Sequence, residues 1–125
     1  MSELKGKIDF TLFISADNAN PNGDPLNGNR PRINMDGYGE ISDVCIKRKI
    51  RNRLQDLGQK IFVQSDDRSD DSYTSLRDRA EGCKELKIEM DKKKKANRDI
   101  FAKIACREWI DVRSFGQVFA FKGDD

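Results

Sequence analysis

The sequence contains no histidine among its 125 residues. That removes the side chain whose ordinary pKa lies near neutrality, and with it the commonest metal ligand. The cysteines are three, Cys45, Cys83 and Cys106, odd in number, widely spaced and without a CxxC pair. No disulfide framework follows from that pattern. Cys45 and Cys106 fall in helical patterns, as small buried hydrophobes do. Long apolar runs are missing too, so neither a signal peptide nor a membrane span is expected, and the chain reads as cytoplasmic and free of membrane contact. No GxxxxGK[ST] or GxGxxG string occurs, which speaks against a nucleotide-hydrolysing enzyme. The three prolines all lie between residues 21 and 31.

What is present is charge. Charged residues make up 37% of the chain and apolar residues 36%, yet the formal net charge is only +2. The total therefore does not call for a polyanion, but the distribution does. Between Arg30 and Lys60 there are eight Lys or Arg against four Asp or Glu. The stretch 66–81 is acidic, with six acids against three bases, and 84–99 is basic again, with seven against four. Cations gathered on one element create a local field that a chain total conceals.

Taken in order, residues 8–15 alternate Ile8, Phe10, Leu12 and Ile14 with Asp9, Thr11, Phe13 and Ser15, the period of a strand with one buried face. Phe13, on the other face, suits packing under a neighbour better than base stacking. A long loop over 17–41 follows, punctuated by Asn22-Gly23, Asn27-Gly28 and Asp36-Gly37, pairs that tolerate the positive φ of tight turns. Such a loop is functional or disordered. Its turn signals favour an ordered excursion, with a short hairpin around Asn27 to Gly37. Asn18 to Gly23 imitates half a calcium loop, but its twelfth position is Asn29 where a bidentate Glu is needed, so no metal is expected there. The run KIFVQ at 60–64 reads as a second strand. The stretch 65–96 forms a variable insert, with an acidic turn at 65–72, a weak helix over 73–81, an amphipathic segment around Leu86 to Met90, and a solvated tether at Lys92 to Lys95. Asn97 caps a helix over 98–110 in which Trp109 is a core residue, and 116–122 alternates as a last strand.

The most informative element is the helix after Ser42. Ser42 is its N-cap, Asp43 complements the dipole, Ile41 and Ile46 have the spacing of a hydrophobic staple, and Leu57-Gly58 supplies the stop. At about 100° per residue, Ile46, Ile50, Leu54 and Leu57 share an arc of about 80°, the expected core-facing stripe. Lys47, Arg51 and Arg48 fill the next arc, and Lys49 and Arg53 flank the stripe. Five cations with no acid among them suit phosphate contact better than a solvated face, which mixes both signs. Arg30 and Arg32, from the preceding loop, are further candidate contacts. The order of elements predicts an α+β domain over 1–125, an antiparallel sheet with helices on one face, of ferredoxin or RNA-recognition type and one strand short of that fold.

Asn20-Pro21-Asn22-Gly23-Asp24-Pro25, then Asn29-Arg30-Pro31-Arg32, then Gly39 to Arg51 (GEISDVCIKRKIR), together with the later block Asp111 to Gly116 (DVRSFG), resemble the N-terminal half of the backbone subunit of type I CRISPR interference complexes, most of all the type I-C form. That resemblance implies a modified RNA-recognition palm, left incomplete in this chain. It implies sequence-independent, non-catalytic binding of the guide-RNA backbone by repeated copies of the subunit in the Cascade filament. The implied partners are the guide RNA, further copies of the chain, other Cascade subunits and, through the guide, target DNA. No cofactor is implied. The family's KRKxR segment falls on Lys47, Arg48 and Arg51, and its Asn/Gly/Asp loop on Asn20 and Asn22. Members of that family are longer than this chain, which predicts an unfilled sheet edge. Two alternatives stay open: a metal-dependent RNA endonuclease using carboxylates such as Asp24 and Asp43, and a fragment that pairs with a protein partner through its open edge.

Overall fold

The computed structural model describes residues 4–120. The chain divides into two compact units, Met1–Cys45 and Ile46–Asp125, with the division inside the first α-helix.

The first unit has almost no regular structure and is tied together by turns. Two short antiparallel strands, β1 (Gly23–Asp24) and β2 (Arg30–Pro31), pair Gly23 with Pro31 and Asp24 with Arg30. Between them Pro25–Asn27 makes a single 3-10 turn, capped by the Asp24 carboxylate, which accepts from the Leu26 N–H at 3.1 Å. Gly28, as the Asn27-Gly28 pair predicts, and Asn29 beyond it take positive φ to close the turn. A second reversal sits at Asp36-Gly37, where Gly37 has φ 83° and a bridge joins Ile33 to Gly39. The turn signals at Asn27-Gly28 and Asp36-Gly37 thus mark reversals, whereas Asn22-Gly23 runs into β1 and the paired hairpin spans Gly23 to Pro31 rather than Asn27 to Gly37.

The stretch 8–15, expected as a strand, carries no regular structure, and all its side chains are exposed, Phe13 to 92%. A strand exists only through its ladder, and among the described residues no partner lies beside it.

The second unit is helical. The helix α1 (Asp43–Asp56) runs into it, followed by α2 (Leu76–Gly82), α3 (Lys84–Asp91), α4 (Arg98–Glu108) and α5 (Ile110–Phe115). Helix α1 ends where Leu57-Gly58 predicts: Gly58 has φ 77°, its N–H reaches the Gln55 carbonyl at 2.9 Å, and the Gln59 N–H reaches the Leu54 carbonyl at 3.0 Å. Those two bonds form a Schellman motif. Ser75 caps α2 by accepting from the Asp78 N–H, and Asn97 caps α4 by accepting from Asp99 and Ile100. Of the four lysines expected as a tether, Lys93–Lys95 form an ordered 3-10 turn preceded by Lys92, and the buried Glu89 secures it through Lys92 and the Asn97 N–H.

The core gathers Phe62, Ala80, Leu86, Ala105, Trp109 and Val112, with Phe101 and Phe119 against them. The ring of Phe62 lies 4.7 Å from Trp109 and 5.0 Å from Phe119, and Phe101 meets Phe119 edge-on at 4.9 Å. Trp109 is a core residue, as expected. It also ends α4: its φ of −126° breaks the helix and turns the Ile110 N–H onto the Lys60 carbonyl at 3.1 Å, after which α5 begins. One helix over 98–110 is therefore two.

Two further expectations change. Residues 60–64 bury Ile61 and Phe62 but form no strand, because side chains take the backbone groups a neighbouring strand would have used. Residues 116–120 are likewise irregular, and 121–122 lie outside the described residues. The only paired sheet among the described residues is the β1–β2 hairpin. Nor does α1 supply any member of the core cluster: Ile46, Ile50 and Leu54 are half-buried and Leu57 is 59% exposed.

Candidate nucleic-acid interface

The site begins with a carboxylate that the charge pattern did not single out. Asp111, at the start of α5, is fully buried. Its Oδ1 accepts from the Phe62 N–H at 2.7 Å, and its Oδ2 accepts from the Val63 N–H at 3.1 Å and from Arg51 Nε at 3.0 Å. One carboxylate thereby satisfies two backbone N–H groups of the KIFVQ segment and pairs the middle of α1. A buried charge needs this number of partners to offset its desolvation.

Arg51 accordingly turns inward, with its side chain only 13% exposed. Its guanidinium also lies over the ring of Phe115, at 5.0 Å, and the Lys47 ammonium lies over the same ring at 5.9 Å. Both separations fall within the range of cation–π attraction. Arg48 is half-buried one position on from Lys47, and its Nη1 reaches Asn52 Oδ1 at 3.5 Å. Burial, and then the neighbouring Arg51 charge, push the Arg48 guanidinium below its ordinary pKa. Lys49 and Arg53 are exposed and make no ion pair among the described residues. The far end of α1 is tied by polar bonds. Gln55 Nε2 donates to the Arg68 carbonyl at 2.7 Å and to Asp70 at 2.9 Å, while Arg68 pairs with Asp56. Polar bonds from Arg51, Gln55 and Asp56 thus tie this helix down alongside its half-buried apolar stripe.

The other predicted contacts sit in the first unit. Asn22 is half-buried and structural: its Oδ1 accepts from both the N–H and the hydroxyl of Ser42, at 2.9 and 3.0 Å. Ser42 in turn caps α1, its Oγ accepting from the Cys45 N–H at 3.3 Å. Asn20 Nδ2 donates to the Asn29 carbonyl at 2.7 Å and braces the hairpin. Arg32 pairs with Glu40 at 3.0 Å, and that hydrogen bond, reinforced by the Glu40 charge, raises its pKa. Arg30 is exposed on β2 and makes no ion pair among the described residues. The structure therefore brings Lys47, Arg48 and Arg51 together on α1 and keeps Asn20, Asn22, Arg30 and Arg32 within the loop.

Sequence reasoning missed the roles of Asp111 and Phe115. The DVRSFG block was visible as a motif, but its partner Arg51 lies 60 residues earlier. Asp24, one of the carboxylates weighed for a metal, caps a turn. Among the described residues no cluster of three or more Cys, Asp or Glu could hold a metal ion, and no helix is long and apolar enough to cross a membrane.

Comparison with known proteins bears on the same residues. The family described as "CRISPR-associated protein Cas7" matches residues 6–124. A CRISPR-associated protein Cas7 from Haloferax volcanii is 43% identical over 67 residues, covering 52% of this chain and 20% of that protein. The matched stretch is thus about a fifth of the relative's length. No solved structure matches the chain. The family match runs through both blocks that Asp111 and Phe115 join, the cationic helix and DVRSFG, and on that extent the chain belongs to the CRISPR-associated protein Cas7 family.

Proposed function

We propose that the chain binds the sugar-phosphate backbone of a CRISPR guide RNA, without sequence preference and without cutting it, as a repeated subunit of an RNA-guided effector complex of type I-C. Its other partners are further copies of the same chain, the remaining subunits of that complex and, through the guide, target DNA; its place is the cytoplasm. The single observation that carries this reading is the cationic surface of α1, where Lys47, Arg48 and Lys49 follow one another with Arg51 fixed behind them. Point charges and guanidinium forks without a base-reading pocket suit phosphates rather than sequence. Arg30 and Arg32 add contacts from the loop, whose shape Asn20 and Asn22 maintain. An RNA-recognition palm, completed by strands beyond those paired in this chain, belongs to the same proposal.

The test is affinity for two unrelated single-stranded RNAs over a salt series. Equal affinities that fall steeply with salt are expected, with a slope of about −0.7 for each phosphate neutralised. Lys47→Ala then flattens the slope by about that amount. A flat salt response, or strong preference for one RNA, overturns the reading, and cleavage of either RNA overturns its non-catalytic part.

A second reading rests on its own observation. The alternating apolar residues Ile8, Phe10, Leu12 and Ile14 are all at least half exposed. An extended segment of that pattern is suited to pairing with a strand of another protein. Light scattering after size-exclusion chromatography, with and without RNA, separates the two: self-association without RNA supports pairing through 8–15.

A further inference from the structure

We propose that Phe115 is a positioning residue for polyanion binding: its ring is a fixed shelf that holds Lys47 in place for phosphate, with the inward-turned Arg51 against the same ring. This rests on the RNA-backbone reading of α1 given above. Phe115 is half-buried, yet it is not a member of the hydrophobic cluster, so filling the core does not account for it. Its ring face instead meets two cations one helical turn apart, at 5.9 and 5.0 Å.

The shelf is rigid for traceable reasons. Phe115 is the last residue of α5, and Gly116 closes that helix with φ 73° and an N–H bond to the Val112 carbonyl at 2.8 Å. Val112 belongs to the core, and Asp111, at the other end of α5, is bonded to Phe62, Val63 and Arg51. The ring therefore has little freedom to follow a mobile side chain. Lysine is the opposite case, a point charge on a flexible four-carbon stem that loses rotamer freedom when it grips a phosphate. A π face beneath the ammonium restricts that freedom before the ligand arrives, so less is lost on binding. Arg51 contributes by being held: with Nε bound to Asp111, it keeps the Phe115 ring in one place beside Lys47.

The experiment is a double-mutant cycle on the 125-residue chain, with a single-stranded RNA as probe and thermal unfolding measured in parallel. Phe115→Leu keeps apolar bulk and removes the ring. It is expected to lower RNA affinity about two- to fivefold, the fold-change matching an exposed cation–π contact of about 0.5–1 kcal/mol. In a Lys47→Ala background the same substitution is expected to change affinity much less, because the cation that the shelf serves is gone. Phe115→Tyr, which keeps the π face, is expected to restore affinity. If Phe115→Leu does not fold, Phe115→Met takes its place in the cycle. Additive effects of the two substitutions, or unchanged affinity in folded Phe115→Leu protein, overturn the positioning role while leaving RNA binding intact. Failure of the wild-type chain to bind RNA at all overturns the RNA reading, and the positioning role with it, in an arm that contains no mutation.

Discussion

The two units hold their shape by different means. The second unit buries Phe62, Leu86, Ala105 and Trp109 in one cluster and sets three buried polar side chains, Arg79, Glu89 and Asp111, around it. The first buries no large apolar side chain among its described residues. Hydrogen bonds shape it instead: Asn20 to Asn29, Asn22 to Ser42, Asp24 to Leu26, and Asn34 to the N–H groups of Asp36 and Tyr38. A net hydrogen bond in water contributes about 0.5–1.5 kcal/mol, whereas a fully buried large apolar side chain contributes about 1.5–3 kcal/mol. The second unit should therefore dominate any cooperative unfolding transition, and the first should open locally at low cost.

The sharpest way to break that contrast is Asp111→Ala. It strands the Phe62 and Val63 N–H groups and the Arg51 charge together, and a loss of about 3–5 kcal/mol in chemical denaturation is expected. A loss below about 1 kcal/mol would show that water satisfies those groups.

Acid should act next. Arg79 donates to both carboxylate oxygens of Asp71, at 2.7 and 2.9 Å, and this bonding holds the Asp71 carboxyl below its ordinary pKa. A carboxylate depressed in the folded state contributes stability that is complete above its unfolded value, about 3.9, and is lost as pH falls through the folded value. Unfolding followed from pH 6 down to pH 2 should show that decline, and Asp71→Asn should make it shallower. An unchanged profile in the variant counts against the pair as a source of acid sensitivity.

In the first unit, Asn22→Ala removes the acceptor for Ser42 and should cost about 1 kcal/mol locally. Amide exchange at Ser42 should speed up while the unfolding midpoint of the second unit stays put. Coupled loss of both would mean that the units share one transition. The smallest effect expected is that of Phe13→Asp, within about ±0.5 kcal/mol by denaturation, since the side chain is exposed and touches no core. A larger loss would reveal burial that the free chain does not show.

Much of the helical framework was legible in the sequence. Ser42, Gly58 and Asn97 mark element ends through bonds that span two to five residues, and such signals survive in any context where the helix forms. The loop turns at Asn27-Gly28 and Asp36-Gly37 were legible for the same reason. The strands were not. Alternation in 8–15 and the apolar run 60–64 describe what a face would bury, but pairing needs a second strand, and at 60–64 Asp111 and Arg79 take the backbone groups instead. Of the candidate site, the cationic arc of α1 could be counted from periodicity, whereas the inward turn of Arg51 could not.

The sequence by itself determined where α1 begins and ends, where α4 begins, where the loop turns at Asn27-Gly28 and Asp36-Gly37, and which helix concentrates positive charge, because each depends on residues within about one turn of one another. Only the tertiary structure decided that Arg51 faces a buried carboxylate, that Lys47 rests over Phe115, and that Asp111 replaces a strand partner for Phe62 and Val63. Those contacts join residues about fifty to seventy positions apart. What selects among the possible partners is the cost of leaving a buried charge or N–H unpaired, and that cost exists only once the core has closed around it.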